Sequence, residues 1–189
     1  MKLEKDIKKS VELLKKGKII LYPTDTIWGI GCDATNSKAV QRIYKLKGRS
    51  ESKSMIILLE TVDKLERYVD KVPPVAYDLI AHSASPLTIV YPRAKNLAKN
   101  LVAPDGSIAI RIVKGRFGAP VMNVLDKPLV STSANVSGQP TAAHFDEISK
   151  EIIDNVDYVV ESFRQRVRAV KPSTIIKLEE NGKFTVIRP

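Results

Sequence analysis

The sequence predicts an α/β fold built on a mixed β-sheet flanked by helices. Three observations carry this expectation. Short apolar runs of strand length alternate with amphipathic segments of helical period along the chain. No repeat, low-complexity tract, linker or shift of composition interrupts the alternation, so residues 1–189 are expected to form a single domain. Asn181-Gly182 separates the last two strand-like runs, and that dipeptide marks a hairpin turn, which makes the sheet mixed rather than parallel throughout.

The elements follow in order. Ile7, Val11 and Leu14 recur at helical spacing, and Gly17 stops the helix. Lys18 to Tyr22 reads as a buried strand, leading into a polar loop. Asn36 caps a second helix through about Lys47, with Ala39, Ile43 and Leu46 on one face. Met55 to Leu59 is an apolar strand. Thr61 opens a helix that ends before Pro73-Pro74, and another helix covers Val75 to Ala81. A strand at Leu87 to Tyr91, a short helix near Asn96 to Leu101 and a strand at Ser107 to Val113 come next. Pro120 to Leu125 is helical, and Pro128 to Ser131 is a brief strand. His144 to Asn155 is expected as one helix with Ile148 and Ile152 inward. Tyr158–Glu161, Thr174–Leu178 and Phe184–Arg188 close the chain as strands.

Composition narrows the function classes. An apolar content of 43% is that of a globular protein. No apolar run approaches the roughly 20 residues of a membrane span. Met1-Lys2-Leu3-Glu4 turns straight into a helix pattern rather than a secretory leader. Cys32 is the one cysteine, which rules out an internal disulfide framework and suits a reducing cytoplasm. With two histidines besides, a His/Cys metal site is not expected. The formal charge is +10, and basic residues gather at Arg42–Lys53 and again at Arg164–Lys171. Such an excess suits phosphate-bearing partners: a nucleotide, a nucleic acid, or both.

Four places can carry chemistry. In the first, Tyr22-Pro23-Thr24-Asp25-Thr26 and the glycines Gly29 and Gly31 follow an apolar strand, where α/β folds tend to place ligands. Thr24 and Thr26 donate and accept, and Asp25 accepts or helps to hold a metal; the same residues can also form a side-chain-stabilised turn. In the second, Gly48 breaks a helix between Lys47 and Arg49, so that both cations can converge on one anion. In the third, Ser131-Thr132-Ser133-Ala134-Asn135-Val136-Ser137-Gly138 supplies hydroxyls, an amide and loop N–H groups to a phosphate or ribose. The fourth is Pro172-Ser173-Thr174 at a strand edge. Arg111, inside the apolar run Ile108–Val113, belongs with it. A charge there needs a partner, either a substrate carboxylate or an acid of the protein. Neither a Ser-His-Asp nor a Cys-His set is evident. The inventory suits reactions in which positioning and electrostatics carry the catalysis, such as adenylate or phosphoryl transfer.

These four places, in this order and over about Val11 to Arg188, resemble the YrdC family of threonylcarbamoyl-adenylate synthases. The resemblance implies a YrdC-like open twisted mixed β-sheet flanked by helices, with a concave central pocket. It implies a cytoplasmic enzyme that joins L-threonine, bicarbonate and ATP, with Mg²⁺, into threonylcarbamoyl-AMP and pyrophosphate. A separate threonylcarbamoyl transferase then modifies an adenosine of tRNA. By the same resemblance Thr26, Arg111, Ser131 and Ser173 would hold threonine. Lys47, Arg49, Lys53, Ser107, Ser133, Asn135, Thr141 and Arg188 would line the nucleotide site, with Lys47 and Arg49 catalytic, and no metal ligand is expected from the protein. Lys47→Ala and Arg49→Ala are each expected to lower turnover with little loss of thermal stability. The chain departs from the family where Leu58 replaces a common histidine, where Ser50 and Ser54 replace prolines, and where Phe163–Val170 is arginine-rich. It also ends at Pro189, as in the short family type. An RNA- or nucleotide-binding module without turnover is the alternative reading.

Overall fold

The structure, a computed structural model, describes residues 2–50, 55–165 and 172–189. Helix α1 spans Lys2–Lys15. Strands β1 (Ile20–Pro23) and β2 (Trp28–Gly31) form an antiparallel hairpin. Helix α2 is Ser37–Lys47, and its N-cap Asn36 accepts a bond from Ala39 N at 3.1 Å. There follow β3 (Ile56–Leu59), α3 (Leu65–Tyr68), α4 (Val75–His82), β4 (Leu87–Tyr91), β5 (Ile108–Ile112) and α5 (Gly118–Leu125). The last elements are β6 (Leu129–Ser133), α6 (Lys150–Asn155), β7 (Tyr158–Val159), β8 (Thr174–Leu178) and β9 (Phe184–Arg188). The strands lie side by side in the order β7-β1-β2-β6-β3-β5-β4-β8-β9.

The sheet is mixed, as expected: β3 runs parallel to β5 and β4 to β8, while β8 and β9 close antiparallel. Ile19, Ile20, Leu21, Ile30, Ile57 and Leu59 are buried in the core. Each contributes about 1.5–3 kcal/mol of burial. Asp6, on the inner face of α1, is also buried. It accepts from Tyr158 Oη at 2.5 Å, Ser162 N at 2.8 Å and Ser162 Oγ at 2.5 Å, so this buried charge fastens α1 to the end of β7.

Four expectations are corrected. Trp28–Gly31 is a strand and not part of a loop, because Ile20↔Gly31 and Pro23↔Trp28 stand in register across a tight turn. Residues 96–101 form turns, not a helix, with Asn96 at a φ of +56° that a helix excludes. The helix expected over 144–155 is broken. A 3₁₀ turn at Phe145–Glu147 precedes α6, and Ile148 between them is extended at ψ 127°. The helix expected from Thr61 is likewise reduced to a 3₁₀ turn at Val62–Lys64 and the single turn of α3.

Gly31 is where the hairpin meets β6. A Cβ there would lie 2.5 Å from Val130 O and 2.7 Å from Tyr22 Cε1. Gly31→Ala is expected to destabilise the protein by about 1–3 kcal/mol, read from the urea midpoint. An unchanged midpoint would show that the strands can part at no cost.

Candidate functional site

The Thr24–Ile27 turn is built by its own side chains. Thr24 Oγ1 accepts from Thr26 N at 3.0 Å and Ile27 N at 3.1 Å, and donates to Ile27 O at 2.6 Å. Thr24 is therefore occupied in reversing the chain. The next two residues are turned to other use. Asp25 Oδ1 stands 3.0 Å from Arg111 Nη2, and Thr26 Oγ1 accepts from Arg111 Nη1 at 3.5 Å. Arg111 is 4% exposed on β5, and among the described residues its Nε has no hydrogen-bond partner. Asp25 thus answers the guanidinium and leaves part of the Arg111 fork unfilled.

That fork faces a cavity of about 420 Å³, within the range of small-molecule sites. The sheet order decides what lines it. Thr26 comes from the hairpin turn, Arg111 and Ser107 from β5 and its entry, and Ser131 and Ser133 from β6. Ser173 precedes β8 and Arg188 ends β9, while Arg49 and Thr141 come from loops. Every residue expected for threonine therefore lines the same cavity as Arg49, Ser107, Ser133, Thr141 and Arg188. The two sets also touch. Arg188 Nη2 donates to Ser173 O at 2.7 Å, and Ser173 Oγ lies 2.8 Å from Thr88 Oγ1. Three guanidinium groups line the cavity, and among the described residues no Asp or Glu does. Burial lowers the pKa of Arg49 and of Arg188, for the latter with the neighbouring Arg111 cation added. The cavity is a place for anions.

Lys47 and Asn135 stand behind this wall. Gly48, at φ 56°, ends α2 as expected, yet Lys47 does not swing out beside Arg49. It is 1% exposed, and its Nζ donates to Ser133 O and Asn135 O, each at 2.5 Å. Ser137 N returns a bond to Lys47 O at 2.9 Å. Asn135 Nδ2 donates to Gln139 O at 2.6 Å and Val136 O at 3.1 Å, so the amide folds its own loop. The convergence of Lys47 and Arg49 on one anion is thereby corrected: a buried ammonium among backbone carbonyls holds the Ser131–Gly138 loop in place. Lys53 lies outside the described residues, as do Arg166, Arg168 and Lys171 of the basic tract.

Burial, and then the adjacent Arg49 cation, lower Lys47 from the usual lysine value to about 8. The group is charged below that pH and neutral above it. Anion binding in the cavity should weaken as pH rises through about 8, measured calorimetrically with sulfate, whose own charge is constant there. The unfolded chain keeps this proton to about pH 10.5. Stability from this group therefore rises between the two values, and the expected loss is not unfolding. A flat binding profile would mean that the ammonium does not act on the anion.

Leu58, where the resemblance places a histidine, is 1% exposed and lines a small second cavity of about 40 Å³ behind the turn, with Tyr22, Trp28 and Phe117. It is register partner to Arg111 across β3 and β5, an apolar neighbour that offers no hydrogen bond. Two acids escaped sequence reasoning in the roles they take: Asp25 as the partner of Arg111, and Asp105 as a partner of Ser107. The signal for Asp105 was local, an acid two residues before a serine with glycine between.

Comparison with known proteins places these features in a family. A family model described as Sua5_yciO_yrdC, "Telomere recombination", matches residues 12–189. The chain is 34% identical over 177 residues to a protein of Pseudoalteromonas translucida named "Threonylcarbamoyl-AMP synthase", covering 92% of this chain and 93% of that one. It is 37% identical over 189 residues to a Methanocaldococcus jannaschii protein named "Putative threonylcarbamoyl-AMP synthase", covering 97% and 87%. Its fold matches that of P. abyssi Sua5 complexed with L-threonine, with a TM-score of 0.87 at 24% identity. That match covers 97% of this chain and 53% of the other, so this chain spans about half its length.

Proposed function

This chain belongs to the Sua5/YciO/YrdC family, and we propose that it is an L-threonylcarbamoyladenylate synthase. It forms threonylcarbamoyl-AMP and pyrophosphate from L-threonine, bicarbonate and ATP. The observation that carries the reading is the shared cavity that Thr26, Arg111, Ser131 and Ser173 line together with Arg49, Ser107, Ser133 and Thr141. Residues 1–189 act as one domain, in the cytoplasm.

The chemistry follows from the lining. The threonine amine and bicarbonate give a carbamate with loss of water. A carbamate oxygen then attacks the α-phosphorus of ATP, and the bond to the β,γ-phosphates breaks, releasing pyrophosphate. Arg111, lining the cavity with Thr26 beside it, takes the threonine carboxylate. Arg49 and Arg188 offset charge on the nucleotide, and Lys47 holds the Ser133 loop against it. The cavity has no carboxylate among the described residues, and no group of three or more His, Cys, Asp or Glu stands together among them. A protein-side cage for Mg²⁺ is therefore not supported, and the ion enters on the triphosphate as part of the substrate. Holding the reactants together supplies part of the 7–11 kcal/mol that good orientation can give, on the order of magnitude known for intramolecular reactions. The product passes to a separate transferase that modifies an adenosine of tRNA.

The test is pyrophosphate release from ATP and Mg²⁺ by the purified protein. Release is expected only with both threonine and bicarbonate present. None under those conditions defeats the synthase reading.

A second reading, binding of tRNA or double-stranded RNA, draws on a separate groove in which Lys38, Arg42, Lys45 and Lys99 stand together. Steeply salt-dependent RNA binding without turnover would favour it over the synthase.

A further inference from the structure

Ser107 enters the cavity with its hydrogen already committed. Its Oγ donates to Asp105 Oδ1 at 2.6 Å, and its backbone N donates to the same oxygen at 3.0 Å. Gly106 between them sits at φ +77°, and Ala103 N donates to Ser107 O at 2.9 Å, so the turn is pinned from both sides. Lys177 Nζ holds the other carboxylate oxygen at 3.0 Å. The bonds from Ser107, with Lys177, lower the Asp105 pKa to about 2, so the carboxylate is ionised at any working pH and accepts only. A serine hydroxyl has one hydrogen and two lone pairs. With the hydrogen spent on Asp105, Ser107 offers the cavity lone pairs alone. Among the described residues that oxygen receives no donor from the protein.

Phosphate oxygens are acceptors and carry negative charge. Neither property suits a polarised acceptor next to an ionised carboxylate. ATP has three donors away from its phosphates: the adenine N6 amine and the ribose 2′ and 3′ hydroxyls.

We propose that Asp105 is a specificity-determining positioning residue, which fixes Ser107 as an acceptor for the amine or a ribose hydroxyl of the nucleotide and so turns the phosphates toward Arg49. The inference rests on the nucleotide reading of the cavity but not on turnover.

Equilibrium binding tests it. Calorimetry on the full chain would compare ATP with inosine triphosphate, which replaces the N6 amine by an oxygen, and with 2′-deoxy-ATP and 3′-deoxy-ATP. In the wild-type protein one of the three is expected to bind about 10–100-fold more weakly than ATP, and which one identifies the donor that meets Ser107. In Asp105→Ala the hydroxyl is free to rotate, and that discrimination should fall to a few-fold. Ser107→Ala should lose it likewise. A merely structural Asp105 would lower the melting temperature and leave the ratio intact. ATP bound with all three analogues equal, or a ratio unchanged in Asp105→Ala, overturns the inference and leaves the synthase reading standing. No ATP binding at all overturns both. The wild-type arm needs no variant, so a misfolded Asp105→Ala does not remove the test.

Discussion

Arg111→Ala is expected to raise the threonine concentration for half-maximal pyrophosphate release by about 10²–10³-fold, with the affinity for ATP nearly unchanged. The magnitude follows from burial. Arg111 is 4% exposed, its Nη atoms contact Asp25 and Thr26, and the residue lines the cavity. Truncation removes the cation that among the described residues reaches Thr26 by hydrogen bond, and leaves Asp25 without its Arg111 counter-ion. Asp25 is 28% exposed and turns to water, so the fold loses less than the 3–5 kcal/mol typical of breaking a fully buried pair. Arg111→Lys restores charge but not a planar fork, and should recover only part of the affinity. Equal losses of threonine and ATP affinity, with a collapsed melting temperature, would mark Arg111 as a structural ion-pair partner.

Lys47→Ala is expected to lower both stability and turnover. The variant leaves Ser133 O and Asn135 O without their donor in a buried place and opens a cavity the length of the side chain. Together these cost about 2–4 kcal/mol, read from the denaturant midpoint. Turnover should fall about 10²–10³-fold, because the Ser131–Gly138 loop no longer holds its hydroxyls in place. The expectation from sequence, lost turnover at nearly full stability, applies instead to Arg49→Ala. Arg49 is half-buried on the cavity wall, and its truncation should cost about 1 kcal/mol of stability or less. A Lys47→Ala protein as stable as the wild type but inactive would show that the ammonium leaves the carbonyls for a phosphate.

Much of the architecture was legible because it is written locally. Leu87–Tyr91, Thr174–Leu178 and Phe184–Arg188 appear as strands at the expected residues, and Asn36 caps α2 as its side chain predicts. The failures have a common cause. Trp28-Gly29-Ile30-Gly31 carries two glycines, which disfavour a strand by propensity; pairing with β1 and β6 overrides this. Glycine is required at position 31 since another backbone passes within contact of it. The helices expected over 96–101 and 144–155 have apolar spacing that suits a helix, but the first is a run of turns and the second keeps only α6, after a 3₁₀ turn.

By itself the sequence determined the inventory of the site: three hydroxyl-rich strand ends, Lys47 and Arg49 around a helix stop, and Arg111 in an apolar strand. Caps, periodicity and turn residues are short-range interactions, so they can be read without a fold. Only the tertiary structure decided what each charge faces. Lys47 meets carbonyls 86 residues away, and Arg111 meets Thr26 across 85 residues. Which face of a strand a side chain occupies, and which strand lies beside it, are set by register and sheet order. Those depend on non-local pairing, and so one cation became a support for the wall while the other stayed open to the ligand.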